Sequence, residues 1–118
     1  MSPQGTHKIR VISAFAFFHL YAQEQQLQLA TILWSMLEKK EPGNIIFGIQ
    51  KGMNEPTRRS VPKEKQGQDV FFCHSPTSWK ALWTNHIDSS LDVQADLVPS
   101  EGKGDNQMRD MIWSVRIV

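Results

Sequence analysis

IRVISAFAFFHLY at residues 9–21, AQEQQLQLATILWSMLEKK at 22–40 and, past EPGN, IIFGI at 45–49 together decide the fold. An apolar run, an amphipathic run and a second apolar run is the pattern of strand, crossover helix and parallel strand. The first strand, about residues 9–13, is nearly all apolar, which predicts cover on both faces. Residues 14–21 are then expected to leave the sheet. In the helix, about Gln23 to Lys39, residues Leu27, Ala30, Leu33, Trp34 and Leu37 form one stripe, widened by Leu29, Ile32 and Met36. Lys39 and Lys40 suit the C-terminal end of the dipole, Pro42-Gly43 ends the helix, and a strand at about Asn44 to Gln50 follows.

Beyond this unit, residues 51–68 hold Gly52, Pro56, Pro62 and Gly67 among basic side chains, so they are expected to be a long surface loop. Glu55, Glu64 and Asp69 dilute that charge and no aromatic residue is interleaved, so a solvated loop is expected rather than a nucleic-acid contact. A short extended piece is expected at 70–73. Ser75-Pro76 is a helix start, with serine as N-cap and proline at the first helical position. Trp79, Leu82, Trp83 and Ile87 recur at helical spacing and predict a core stripe. Leu91, Val93, Ala95 and Leu97 alternate with polar residues, and so do Met111, Trp113, Val115 and Ile117, on either side of a turn-rich segment at 99–107. That is a closing antiparallel hairpin.

With 118 residues there is room for one core, since single domains usually hold about 100 to 150. A hydrophobic content of 40% and a charged content of 21% suit an ordinary globular chain, and a net charge of +1 gives no general pull toward nucleic acid or anionic lipid. The single cysteine, Cys73, cannot close an internal disulfide, so an intracellular, cytoplasmic site is expected. The apolar run near the N-terminus falls short of the roughly 20 residues that span a bilayer, and its His19 and aromatic residues do not suit a signal sequence.

Phosphate-binding glycine turns are missing from this pattern: Gly43 precedes a strand, and Gly102-Lys103-Gly104 lies in the hairpin turn. Neither Cys-x-x-Cys nor His-x-x-x-His occurs, so no metal site is expected. Ser13 follows a strand but lacks the flanking glycines of a nucleophile elbow. Position remains as a guide. In open α/β sheets ligands bind outside the carboxyl ends of the strands, here 13–19 and 48–52. His19 is the candidate base near that edge, against the alternative of a half-buried histidine bonded to backbone. Gln50 and Lys51 are candidates on the substrate side, against a role as solvated strand-end residues.

The patches Ala16-Phe17-Phe18-His19-Leu20, Phe47-Gly48-Ile49-Gln50-Lys51-Gly52, Ser78-Trp79-Lys80-Ala81-Leu82-Trp83 and Trp113-Ser114-Val115-Arg116 occur in that order. The chain from about Ile9 onward resembles the C-terminal half of fungal secondary-metabolite class I methyltransferases of meroterpenoid and polyketide pathways. The resemblance implies an α/β, partial Rossmann-like fold with parallel strands, crossover helices and a final antiparallel β-hairpin, as one unit over 1–118 behind a polar stub at 1–8. It also implies S-adenosylmethionine as methyl donor and a small secondary metabolite as acceptor. Of the family's cofactor residues only the end of strand four carries over, at Ser13 and Ala14. The glycine-rich turn after strand one and the acid after strand two have no counterpart.

Two other readings stand beside this one. The chain can be a non-catalytic interaction module that pairs an open sheet edge with another copy or with an N-terminal half. It can also be part of another doubly wound protein, such as a reductase.

Overall fold

In a computed structural model, residues 9–15, 18, 21–59, 71–99 and 108–118 are described. The elements are β1 (Val11–Phe15), α1 (Gln23–Met36), β2 (Ile45–Gly52), β3 (Thr57–Arg59), β4 (Phe71–Cys73), α2 (Pro76–His86), β5 (Asp92–Leu97) and β6 (Arg109–Arg116). The main sheet has the order β1-β2-β6-β5. β1 and β2 are parallel, from Val11 opposite Ile45 to Phe15 opposite Ile49. β6 runs antiparallel to both β2 and β5, so the last strand of the chain is inserted between them. The architecture is α/β with a mixed sheet and two helices.

One face of the sheet carries the core. Ile12, Ala14, Ile46, Val93, Met111, Trp113 and Val115 are buried there in one cluster with Ala30 of α1 and Trp79, Leu82 and Trp83 of α2. Rings set the geometry of this cluster: Phe18 and Trp113 meet Trp79 edge-on, at centroid distances of 4.9 and 5.0 Å. Such edge-to-face pairs are favoured by the ring quadrupole. Gly48 makes the arrangement possible, because a Cβ at that position would lie 1.9 Å from the Ala14 carbonyl oxygen and 3.0 Å from the Trp113 ring. α2 begins as its sequence predicts, with Ser75 Oγ accepting the Ser78 N–H at 3.0 Å and proline in the first turn. α1 has only half of such a cap, the Ala22 N–H donated to Gln25 Oε1 at 3.1 Å.

Several expectations are corrected. β1 occupies Val11–Phe15 rather than residues 9–13, because Ile9 is held by the end of α1: its N–H donates to the Met36 carbonyl at 3.0 Å, and its carbonyl accepts from Glu38 N at 2.8 Å. The same bridge ends α1 at Met36, where Leu37 turns extended and buried beside Ile9. Gly43, at φ +94°, therefore serves the turn into β2 rather than a helix cap. Among the described residues β1 is covered on one face only, the one that joins the core with the buried residues of the helices; Val11 and Phe15 stay 58% and 54% exposed, and Ile112 of β6, across β2 from Phe15, is 52% exposed. The surface loop expected at 51–68 starts later. Lys51 and Gly52 complete β2, paired with Asp110 and Arg109, and Thr57–Arg59 pair with β4. The remainder of that loop, from residue 60, lies outside the described residues, as does the polar stub at 1–8. Among the described residues no helix is long and apolar enough to cross a membrane.

Candidate functional site

The carboxyl ends of the parallel strands bring some of the expected residues together and separate others. Ser13 and Ala14 lie inside β1, on opposite faces: Ser13 is exposed on the open face and Ala14 is buried opposite Gly48. Gln50 and Lys51 part in the same way because side chains alternate along a strand. Lys51 points to the open face, where its Nζ meets Asp110 Oδ1 at 2.8 Å in a half-exposed pair. Such a surface pair contributes about 0 to 1 kcal/mol. Gln50 is 2% exposed on the core face, in register with Met111. His19 lies outside the described residues.

Gln50 is unusual because neither its side-chain oxygen nor its nitrogen has a hydrogen-bond partner. Leaving a buried amide unpaired costs about 1 to 3 kcal/mol. Gln50→Met, which keeps the shape and removes the polar atoms, is expected to raise stability by about 1 kcal/mol in a thermal melt. A fall in stability would show that the amide is satisfied in solution.

β4 delivers a histidine to the same edge. Met53 N–H donates to the His74 carbonyl at 3.0 Å, which ties the end of β2 to the start of α2. The His74 ring is 2% exposed, packed edge-on against Phe72 and Trp79 at centroid distances of 4.7 and 5.2 Å. Its Nδ1 lies 2.8 Å from Ser78 Oγ. That hydroxyl also accepts from Ser75 N at 2.9 Å and can donate to the Ser75 carbonyl at 3.2 Å. All three contacts are satisfied at once only if Nδ1 carries the ring proton and donates to Ser78. This assigns the tautomer from the network and leaves Nε2 a bare acceptor, buried and without a partner. Burial lowers the His74 pKa from 6.5 to about 4, since an imidazolium loses its hydration there.

Gln26 completes the frame. Buried on α1, it donates from Nε2 to the carbonyls of Tyr21 at 2.9 Å and Phe72 at 2.7 Å, and its Oε1 has no partner. It pins the start of α1 to β4. Between the helices a cavity of about 340 Å³ opens, lined by Gln23, Glu24 and Leu27 of α1, by His74, and by one face of α2 from Ser78 to His86. Sequence reasoning did not single out His74 as a site residue. The signal available was the Ser75-Pro76 helix start, which places the preceding residue at the junction.

The fit of a methyl donor to these residues is poor. Binding a nucleoside through backbone contacts needs a glycine turn between a strand and a helix, and among the described residues none has that place. Gly43 leads into β2, whereas Gly48 and Gly52 lie within it, closed in by the carbonyls of Ala14 and His74. No three His, Cys, Asp or Glu side chains among the described residues gather as a metal site.

No family model matches the chain. It is 34% identical over 108 residues to O-methyltransferase phiE of Fungal sp. (strain ATCC 74256), an alignment that takes in 92% of this chain and 34% of that protein. The chain thus spans about a third of the length of the relative it matches. This similarity supports a relationship between the chain and a methyltransferase.

Proposed function

We propose that the chain is the C-terminal, acceptor-side part of a class I methyltransferase that moves a methyl group from S-adenosylmethionine to an oxygen of a small secondary metabolite in the cytoplasm. The observation that carries this reading is the 34% identity to an O-methyltransferase over 92% of the chain. A mixed sheet whose parallel strands are finished by an antiparallel hairpin agrees with it. The donor supplies an activated methyl group when bound. The chain's own part is to hold an acceptor at the carboxyl edge, where His74 and Gln50 are candidate polar groups, and His19, expected from its sequence position, is proposed as the base. Ser13 and Ala14 are proposed to border the donor, which other residues hold.

Isothermal titration of the chain with S-adenosylmethionine is expected to show no binding, because no cradle for the donor is present among the described residues. Addition of a segment with a glycine-rich strand-to-helix turn is expected to restore binding and methylation of a hydroxylated acceptor. A micromolar dissociation constant for the chain alone, about 8 kcal/mol of binding, would place the donor pocket within it. No binding and no methylated product in the complemented protein would defeat the methyl-transfer reading.

A second reading, an interaction module, has one specific observation in its favour. β1 pairs only with β2 among the described strands, and exposed Val11 and Phe15 stand beside that open edge. Unpaired N–H and C=O groups along such an edge invite another strand. Sedimentation at increasing concentration is expected to show self-association that a complementing segment suppresses. A monomer at every concentration would count against this reading.

A further inference from the structure

We propose that the cavity between α1 and α2 is a binding site for an uncharged hydroxy-aromatic molecule of one or two rings, whose hydroxyl is donated to His74 Nε2. Its size fits: about 340 Å³ lies at the lower end of the roughly 300 to 1,000 Å³ of ligand sites. Leu27, Ala81 and Leu82 supply apolar wall for a ring, while Ser78 and Asn85 supply polar rim. Charge decides the class of ligand. Glu24 contributes a carboxylate, and His86, the last residue of α2, is the one basic side chain in the lining besides His74. No lysine or arginine lines the cavity, so a carboxylate or phosphate has no fixed cation to meet.

The independent sign of a ligand is His74. It is nine-tenths buried and more, it forms part of the cavity wall, and its Nε2 has no partner. Native proteins pair nearly all such groups. With Nδ1–H fixed on Ser78, Nε2 can only accept, so the group that satisfies it must be a donor, as a phenol is and a carboxylate is not. Nε2 is closed to solvent, and a side-chain adjustment of the kind common on binding brings a seated hydroxyl against it. Naming this molecule the methyl acceptor rests on the proposed function; the binding itself does not.

The test is a titration of the full chain with resorcinol, followed by amide and imidazole resonances, with benzoate as the anionic comparator. Shifts are expected at residues 23–27 and 74–86, together with a shift of the His74 Nε2 resonance, and benzoate is expected to bind at least tenfold more weakly. Ala81→Trp fills the cavity and is expected to weaken resorcinol at least tenfold. Ala81→Leu, a smaller insertion, is expected to weaken it less and serves if the larger ring prevents folding. Shifts scattered elsewhere, an unmoved His74, equal affinity for benzoate or indifference to both variants would each overturn the proposal. Because no donor or turnover enters this measurement, its failure is separate from failure of the methyl-transfer reading.

Discussion

Replacing Trp79 or Trp83 with alanine is expected to destabilise the protein by about 3 to 5 kcal/mol each, the range for deleting a buried aromatic side chain. Both rings are fully buried at the centre of the cluster that joins α2 to the sheet. Trp79 touches Phe18, His74, Trp83 and Trp113, so truncating it opens a space that four neighbouring rings cannot close without leaving their rotamers. Typical domains are stable by about 5 to 15 kcal/mol, so either substitution takes a large share of the total. Urea unfolding followed by circular dichroism reads the effect. Phenylalanine separates packing from polarity: neither indole nitrogen has a hydrogen-bond partner, so Trp83→Phe removes an unsatisfied donor and is expected to cost less than half as much as alanine. A loss below 1 kcal/mol for Trp79→Ala and Trp83→Ala would show that these rings line a solvent-filled surface instead.

The sequence made these tryptophans legible because four apolar residues at helical spacing behind a Ser-Pro cap leave one face for α2 to bury. The alternation of Met111, Trp113 and Val115 was legible for the same kind of reason, and all three are buried in β6. What could not be read was which of the apolar side chains stay exposed. Val11 and Phe15 are as apolar as Ile12 and Ala14, and an apolar side chain carries no information on whether its cover lies in the same chain. Leu37 continues the stripe of α1 at helical spacing, yet it is drawn out of the helix by its bridge to Ile9, a contact between residues 28 positions apart that no local periodicity encodes. Gln26 presents the converse case. A glutamine beside a leucine stripe reads as a solvated boundary, but the carbonyls of Tyr21 and Phe72 let it bury.

The site was legible by position more than by chemistry. Strand carboxyl ends pointed to Gln50, which is present at that edge, buried and unpaired. They pointed equally to Lys51, which alternation sends to the other face and into a pair with Asp110. His74 escaped because its role depends on β3 and β4, short strands whose pairing places it against the end of β2. Its packed ring, bonded to Ser78 in the first turn of α2, is an arrangement set by tertiary contacts alone.

Acid is expected to destabilise the chain through His74, and the direction follows from its burial. The folded state holds the imidazole neutral down to about pH 4, whereas in the unfolded chain it takes up a proton near its ordinary value of about 6.5. Between these two values the unfolded state binds more protons, so stability rises with pH across that window and falls as the solution is acidified. Above pH 7 both states are neutral at this residue, and its contribution is then independent of pH. A difference of about 2.5 pH units corresponds to about 3 kcal/mol lost once the pH is below both values. Glu24 and His86 line the same cavity and Asp110 sits at the surface, so the background has to be removed by comparison. His74→Asn keeps a donor toward Ser78 and cannot titrate. The difference in urea-derived stability between the native chain and this variant, measured from pH 7.5 to pH 4, is therefore the quantity to follow. It is expected to shrink toward acid by about 3 kcal/mol. A constant difference would show that the unfolded and folded states protonate His74 alike, and that its ring is open to water in solution.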